Sequence, residues 1–116
     1  MYITEHEEHS LKALGNKFTE IHEWMDQYYK VIDNVAHRVI LHHRYGIELG
    51  VSLFGEAARK ALELHVEDDF EFIPDTPDDV AQMMRDQDFL TDDEARTLSP
   101  IVCRLFPGVV ISIESV

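Results

Sequence analysis

From Phe18 to Phe54 the apolar side chains return at the spacing of an α-helix, and this periodicity limits the chain more than any other feature. On a wheel of about 100° per residue, Phe18, Ile21, Met25, Tyr28, Tyr29 and Ile32 share one face, with Trp24 and Val31 beside it. Glu20, Glu23, Asp26 and Lys30 lie opposite, so the spacing predicts a helix over residues 18–33. A further helix is expected over residues 35–54, where Val39, Ile40, Gly46, Ile47, Leu49, Gly50, Leu53 and Phe54 cover about half the circumference. Arg38, Arg44, Glu48 and Ser52 take the remainder. Glycine in a helix costs about 1 kcal/mol relative to alanine. Gly46 and Gly50 on the buried face therefore imply that another backbone or a ligand comes close.

Start and stop signals extend the pattern. Gly15-Asn16 ends a first helix over residues 5–14, and the strong helix formers of "EAARKALELHVEDD" predict another over residues 56–68. Thr76 as cap and Pro77 at the first helical position open a helix through Asp86. "TDDE", Thr91 to Glu94, is a capping box for one more short turn. The β-branched run from Val109 to Ile113 reads as a strand that pairs with Tyr2 to Thr4 or with a second copy of the chain as a homodimer. The expected fold is mainly α: a compact helical bundle of four to six helices, one domain over residues 1–116, with a strand-like tail over 107–116.

Charge narrows the partners. A formal charge of −13 repels phosphate backbones and argues against direct nucleic-acid binding. Between Glu63 and Glu94 there are thirteen carboxylates and one basic side chain, Arg85. That run is either a solvated surface or a face for a basic protein partner. No apolar run is long enough to span a membrane, and the acidic start "MYITEHEEHS" is unlike a signal peptide. Cys103 is alone and reads as a small apolar filler, so the expected setting is cytoplasmic.

The chemistry rests with the seven histidines. On the wheel of residues 35–54, His42 and His43 both point into the apolar half, whereas His37 falls near Arg44 and Glu48. A buried imidazole costs free energy unless its nitrogens find partners, so an inward doublet needs an explanation. His22 and Asp26 are four residues apart, as are His65 and Asp69, and such pairs share a helix face. His6 and His9 form a weaker pair consistent with surface. Each histidine alone fits a hydrogen-bonded side chain; the set together fits a metal centre. Imidazole with carboxylate suits a divalent transition metal, zinc foremost, with iron, manganese or nickel also compatible. "DQDFLTDDE" lacks the glycine and register of a calcium loop.

These motifs resemble a family. "IHEWMD", "HRVILHH" followed by Gly46, "LFG" and "HVEDDFEFIP" are similar, in order, to the signature of an uncharacterised family of short His-rich bacterial and phage proteins. The matching positions are His9, His22, Trp24, Asp26, His37, Arg38, His42, His43, Gly46, Phe54, Gly55, His65, Val66, Asp69, Ile73 and Pro74. The family carries a longer, hairpin-like segment between Phe-Gly and His-Val, where this chain has "EAARKALEL". The resemblance supports the histidine constellation and implies no particular reaction.

Two functions follow. In the first, three or four of His22, His37, His42, His43, His65 and Asp69 hold a metal, and Asp26 acts as the base for a metal-dependent hydrolase. A purely structural metal is the variant of that reading. In the second, the chain is a non-catalytic acidic interaction protein, a phage-type inhibitor of a basic or nucleic-acid-binding host partner. No phosphate loop or nucleophile elbow is present.

Overall fold

The computed structural model describes residues 2–32 and 34–111. Seven α-helices occur among them: α1 (Ile3–Leu14), α2 (Thr19–Met25), α3 (Arg38–Leu41), α4 (Arg44–Phe54), α5 (Arg59–Phe70), α6 (Pro77–Asp86) and α7 (Asp92–Leu105). Short 3-10 segments cover Gln27–Lys30, Val35–His37 and Glu56–Ala58. The mainly helical class is as expected, with more and shorter helices than the periodicity implied.

The largest departure lies at the doublet. The segment expected as one helix over 35–54 breaks at His42-His43. His42 has φ −84° and ψ 61°, and the His43 N–H bonds to the Leu41 carbonyl at 2.9 Å, an inverse γ-turn. His43 then caps α4: its Nδ1 accepts from the Gly46 N–H at 3.0 Å. The Arg44 N–H, another donor left open at this helix start, bonds to the Pro74 carbonyl at 2.9 Å. So sharp a corner folds the chain onto itself. A Cβ at Gly46 would sit 1.8 Å from the Leu41 carbonyl oxygen, so the close backbone foreseen for this glycine is the chain's own. At Gly50 a Cβ would meet Leu62 at 2.8 Å and Trp24 at 3.1 Å, which lets α4 settle closely on α5 and α2.

Helices α1, α2, α4 and α5 pack together, and α3 bridges from α4 to α6 and α7. Val39, Ile40 and Leu41 are buried, as are Val80, Ala81 and Met84 of α6 and Ala95, Leu98 and Val102 of α7. Gly15, at φ 78°, ends α1 as expected, with its N–H on the Leu11 carbonyl. The helix expected over 18–33 stops at Met25, and Asp33 lies outside the described residues. Thr76 caps α6 with Pro77 in its first turn, and Thr91 and Glu94 form the full capping box of α7.

That box opens a helix of 14 residues rather than a short turn. Pro100 does not stop it: the residue is exposed, so the carbonyl deprived of its bond can turn to water, while the buried face continues past it. No strand forms among the described residues. Tyr2 precedes α1 and Ile3 and Thr4 belong to it, while Val109, Val110 and Ile111 are irregular; Ser112 and Ile113 lie outside the described residues. The expected C-terminal strand and its partner are thus corrected where they can be seen. Cys103 is exposed rather than a core filler. No helix among the described residues is long and apolar enough to cross a membrane.

Candidate metal centre

Four donors meet between α2, α3 and α5. His65 and Asp69 sit one turn apart on α5 and face the same way. Asp26 ends α2, and its carboxylate meets His65 of α5. His42 arrives from the γ-turn at the end of α3. His42 Nε2 and His65 Nε2 are 3.1 Å apart. Asp26 Oδ1 lies 3.3 Å from the first and 3.1 Å from the second. Asp69 Oδ2 lies 3.1 Å and 3.7 Å from the same two nitrogens.

Five of the six edges of a four-donor polyhedron therefore run from 3.1 to 3.7 Å, and all donors lie within 4.8 Å of one another. A tetrahedral ion with ligands at about 2.0–2.1 Å requires edges of about 3.3–3.4 Å. The side chains of His42, His65 and Asp69 are 0%, 0% and 2% exposed, and Asp26 is 16%. Asp26 is the donor nearest solvent.

The electrostatics suit a cation. Burial would raise the Asp26 carboxyl, but His37, His42 and His65 around it prevail and hold it well below the usual range. Burial likewise opposes ionisation of Asp69, and His42 and His6 outweigh it. Burial pushes the His65 imidazole down to about 3, so this ring is a neutral donor at physiological pH. Burial would lower His42 too, but Asp26 and Asp69 hold it above the ordinary histidine value.

Behind His65 runs a second layer. His65 Nδ1 lies 2.8 Å from His22 Nδ1, and His22 Nε2 lies 2.6 Å from Ser10 Oγ. Two sets of tautomers satisfy the line. Without metal, Ser10 can donate to His22, His22 to His65 and His65 Nε2 to Asp26. The reverse set, with His65 donating to His22 and His22 to Ser10, leaves the His65 Nε2 lone pair for a metal. Burial, helped by His6, lowers His22 to about 4. The group of His6, His22 and His65 is itself close enough to hold an ion. Its geometry argues for hydrogen bonding and stacking instead. The separation of 2.8 Å is that of an N–H···N bond, and the His6 ring lies on His65 with centroids 3.7 Å apart and planes at 15°. Lone pairs in parallel, stacked planes do not converge on one ion.

Of the residues expected to bind metal, His42, His65 and Asp69 come together, joined by Asp26, the residue expected as the base. His37 stands beside them, with Nε2 3.3 Å from Asp26 Oδ1 and Nδ1 2.8 Å from the Asn34 carbonyl. His22 takes the supporting position just described. His43 is elsewhere: Nδ1 is used by the helix cap, and Nε2 donates to the Val39 and Ile40 carbonyls at 3.0 and 2.9 Å. Burial lowers it to about 3.

The pair read as surface is split. His6 is fully buried, whereas His9 is partly exposed and meets Asp68 at 2.7 Å. Ser10 is also buried. The spacing of His6, Ser10 and Leu14 along one face of α1 was the available signal.

Arg38 sits over Asp69, with Nη2 3.4 Å from its Oδ1 and the guanidinium 5.4 Å from the Phe70 ring centre. Beyond it opens a pocket of about 600 Å³ whose wall includes Asp26, His37, Arg38 and Asp69, a volume within the usual range for small-molecule sites. No curated protein and no solved structure matches the chain significantly. A family model matches residues 1–90, a span that contains every donor and supporting residue of this centre. On that match the chain belongs to the family described as a domain of unknown function, DUF6915.

Proposed function

We propose that the protein binds one divalent transition metal, zinc foremost, through Asp26, His42, His65 and Asp69, and uses it as a hydrolytic centre. The observation that carries this reading is the set of donor separations near a tetrahedron's edges. Two carboxylates offset the ion's charge, and the imidazole–carboxylate donors also accept iron, manganese or nickel. The pocket beside Asp26 and Asp69 supports catalysis, because it gives a small molecule a route to the ion.

His42, His65 and Asp69 would hold the ion, which would acidify water, and Asp26, the donor nearest solvent, would serve as the base that takes up the proton. His37 steadies that carboxylate from 3.3 Å. Metal-loaded protein is expected to hydrolyse activated esters, and Asp26→Asn is expected to abolish turnover. Stoichiometric metal with no hydrolysis of carboxylic or phosphate esters would overturn the catalytic half. A structural metal is the second reading, favoured by the four protein donors that already complete a tetrahedron. It predicts bound metal, strong stabilisation and no exchangeable water.

The acidic partner surface rests on a separate observation: Glu67, Glu71, Asp75, Asp79, Asp86 and Asp88 are exposed. Asp68 and Asp69 of the same run turn inward instead. Binding of a basic partner that weakens steeply with salt would support this reading, and charge reversal without effect would end it.

A further inference from the structure

We infer that the pocket beside the metal centre binds the phosphate group of a small phosphate ester, and does so only when the metal is present. This rests on the metal-binding reading above and names the substrate class of that same site. The chain carries 10 basic against 23 acidic side chains, yet two of the basic ones, Lys30 and Arg38, line this one pocket. Arg38 Nε is buried without a hydrogen-bond partner among the described residues. Its guanidinium also stands 3.4 Å from Asp69, next to where the ion would lie. A planar guanidinium fork at the pocket wall beside a metal is suited to the oxygens of a phosphate bound to that metal.

Charge decides when the anion is accepted. The pocket's carboxylates are Glu23, Asp26 and Asp69, so with Lys30 and Arg38 the metal-free site carries one net negative charge. A divalent ion turns that into one net positive charge. The organic part of the ligand has apolar walls to meet, because Tyr2 and Tyr29 at the pocket are 79% and 51% exposed. Exposed aromatic faces beside an anion site favour an ester with a flat or apolar group over inorganic phosphate alone.

The test is calorimetric titration of inorganic phosphate and phenyl phosphate into zinc-loaded and chelated protein, with metal content read on the same samples. Both ligands are expected to bind the zinc-loaded chain, phenyl phosphate more tightly, and chelation is expected to weaken both at least about tenfold. Glu23 and Lys30 are exposed and belong to no donor set, so they tune charge without touching the metal. Lys30→Glu should weaken phosphate by at least about threefold and Glu23→Gln should tighten it, each with unchanged zinc content. Zinc-loaded protein that binds neither ligand, equal binding after chelation, or indifference to both substitutions would overturn the inference and leave the metal centre standing. A chain that takes up no metal would overturn both.

Discussion

Acid should unfold the metal-free chain well before its carboxylates titrate. Burial lowers His22 to about 4 and His43 and His65 to about 3, against an ordinary value of 6.5. Below pH 6.5 the unfolded chain takes up protons that the folded chain refuses, so stability falls as pH falls through that value. The loss continues to about pH 4 for His22 and about pH 3 for the other two. At pH 5 each ring contributes a loss of roughly 2 kcal/mol, and the three together about 6 kcal/mol.

A loss of that size is comparable to the whole stability of many domains, about 5–15 kcal/mol. His42 does not oppose it. Its value is raised, so its stabilisation is already complete below pH 6.5 and is lost only on the alkaline side. Asp26 and Asp69, both held low, lose their stabilisation only below about pH 4. Urea unfolding followed by circular dichroism with chelator present, at about pH 7, 6 and 5, measures the effect. Stability that is level or rises from pH 6.5 to pH 5 would refute the claim that these rings are buried neutral.

Two substitutions separate support from ligation. His43→Ala removes the cap of α4 and leaves two buried carbonyls unserved, so a melt should show a loss of about 2–3 kcal/mol with zinc stoichiometry unchanged. Ser10→Ala removes the partner of His22 Nε2 at the far end of the line behind His65, and competition with a chromogenic chelator should show zinc affinity lowered about tenfold.

How much of this was legible depended on where the chain keeps one helical phase. The His65–Asp69 pair lies within α5, so its spacing carried directly into the structure. His22 and Asp26 straddle the end of α2, and once the helix stops, Asp26 meets His65 and His42. The wheel for residues 35–54 failed at His42-His43 because a side-chain cap competed with helix continuation, as Asn or Ser does at other helix starts. Both rings are buried, but the γ-turn sends them to different duties. The surface reading of His6 fails because the buried face of α1 is polar: its fully buried residues are His6 and Ser10, which no apolar periodicity reveals. Arg38 was read as solvent-facing, and only the packing of α3 beside α5 placed it over Asp69.

X-ray absorption on zinc-loaded protein bears most directly on the metal centre. The donor separations call for one ion per chain with four nitrogen and oxygen neighbours at about 2.0 Å and the outer scattering of two imidazoles. A chain that retains no stoichiometric ion, or an ion ringed by sulfur or by water alone, would contradict it.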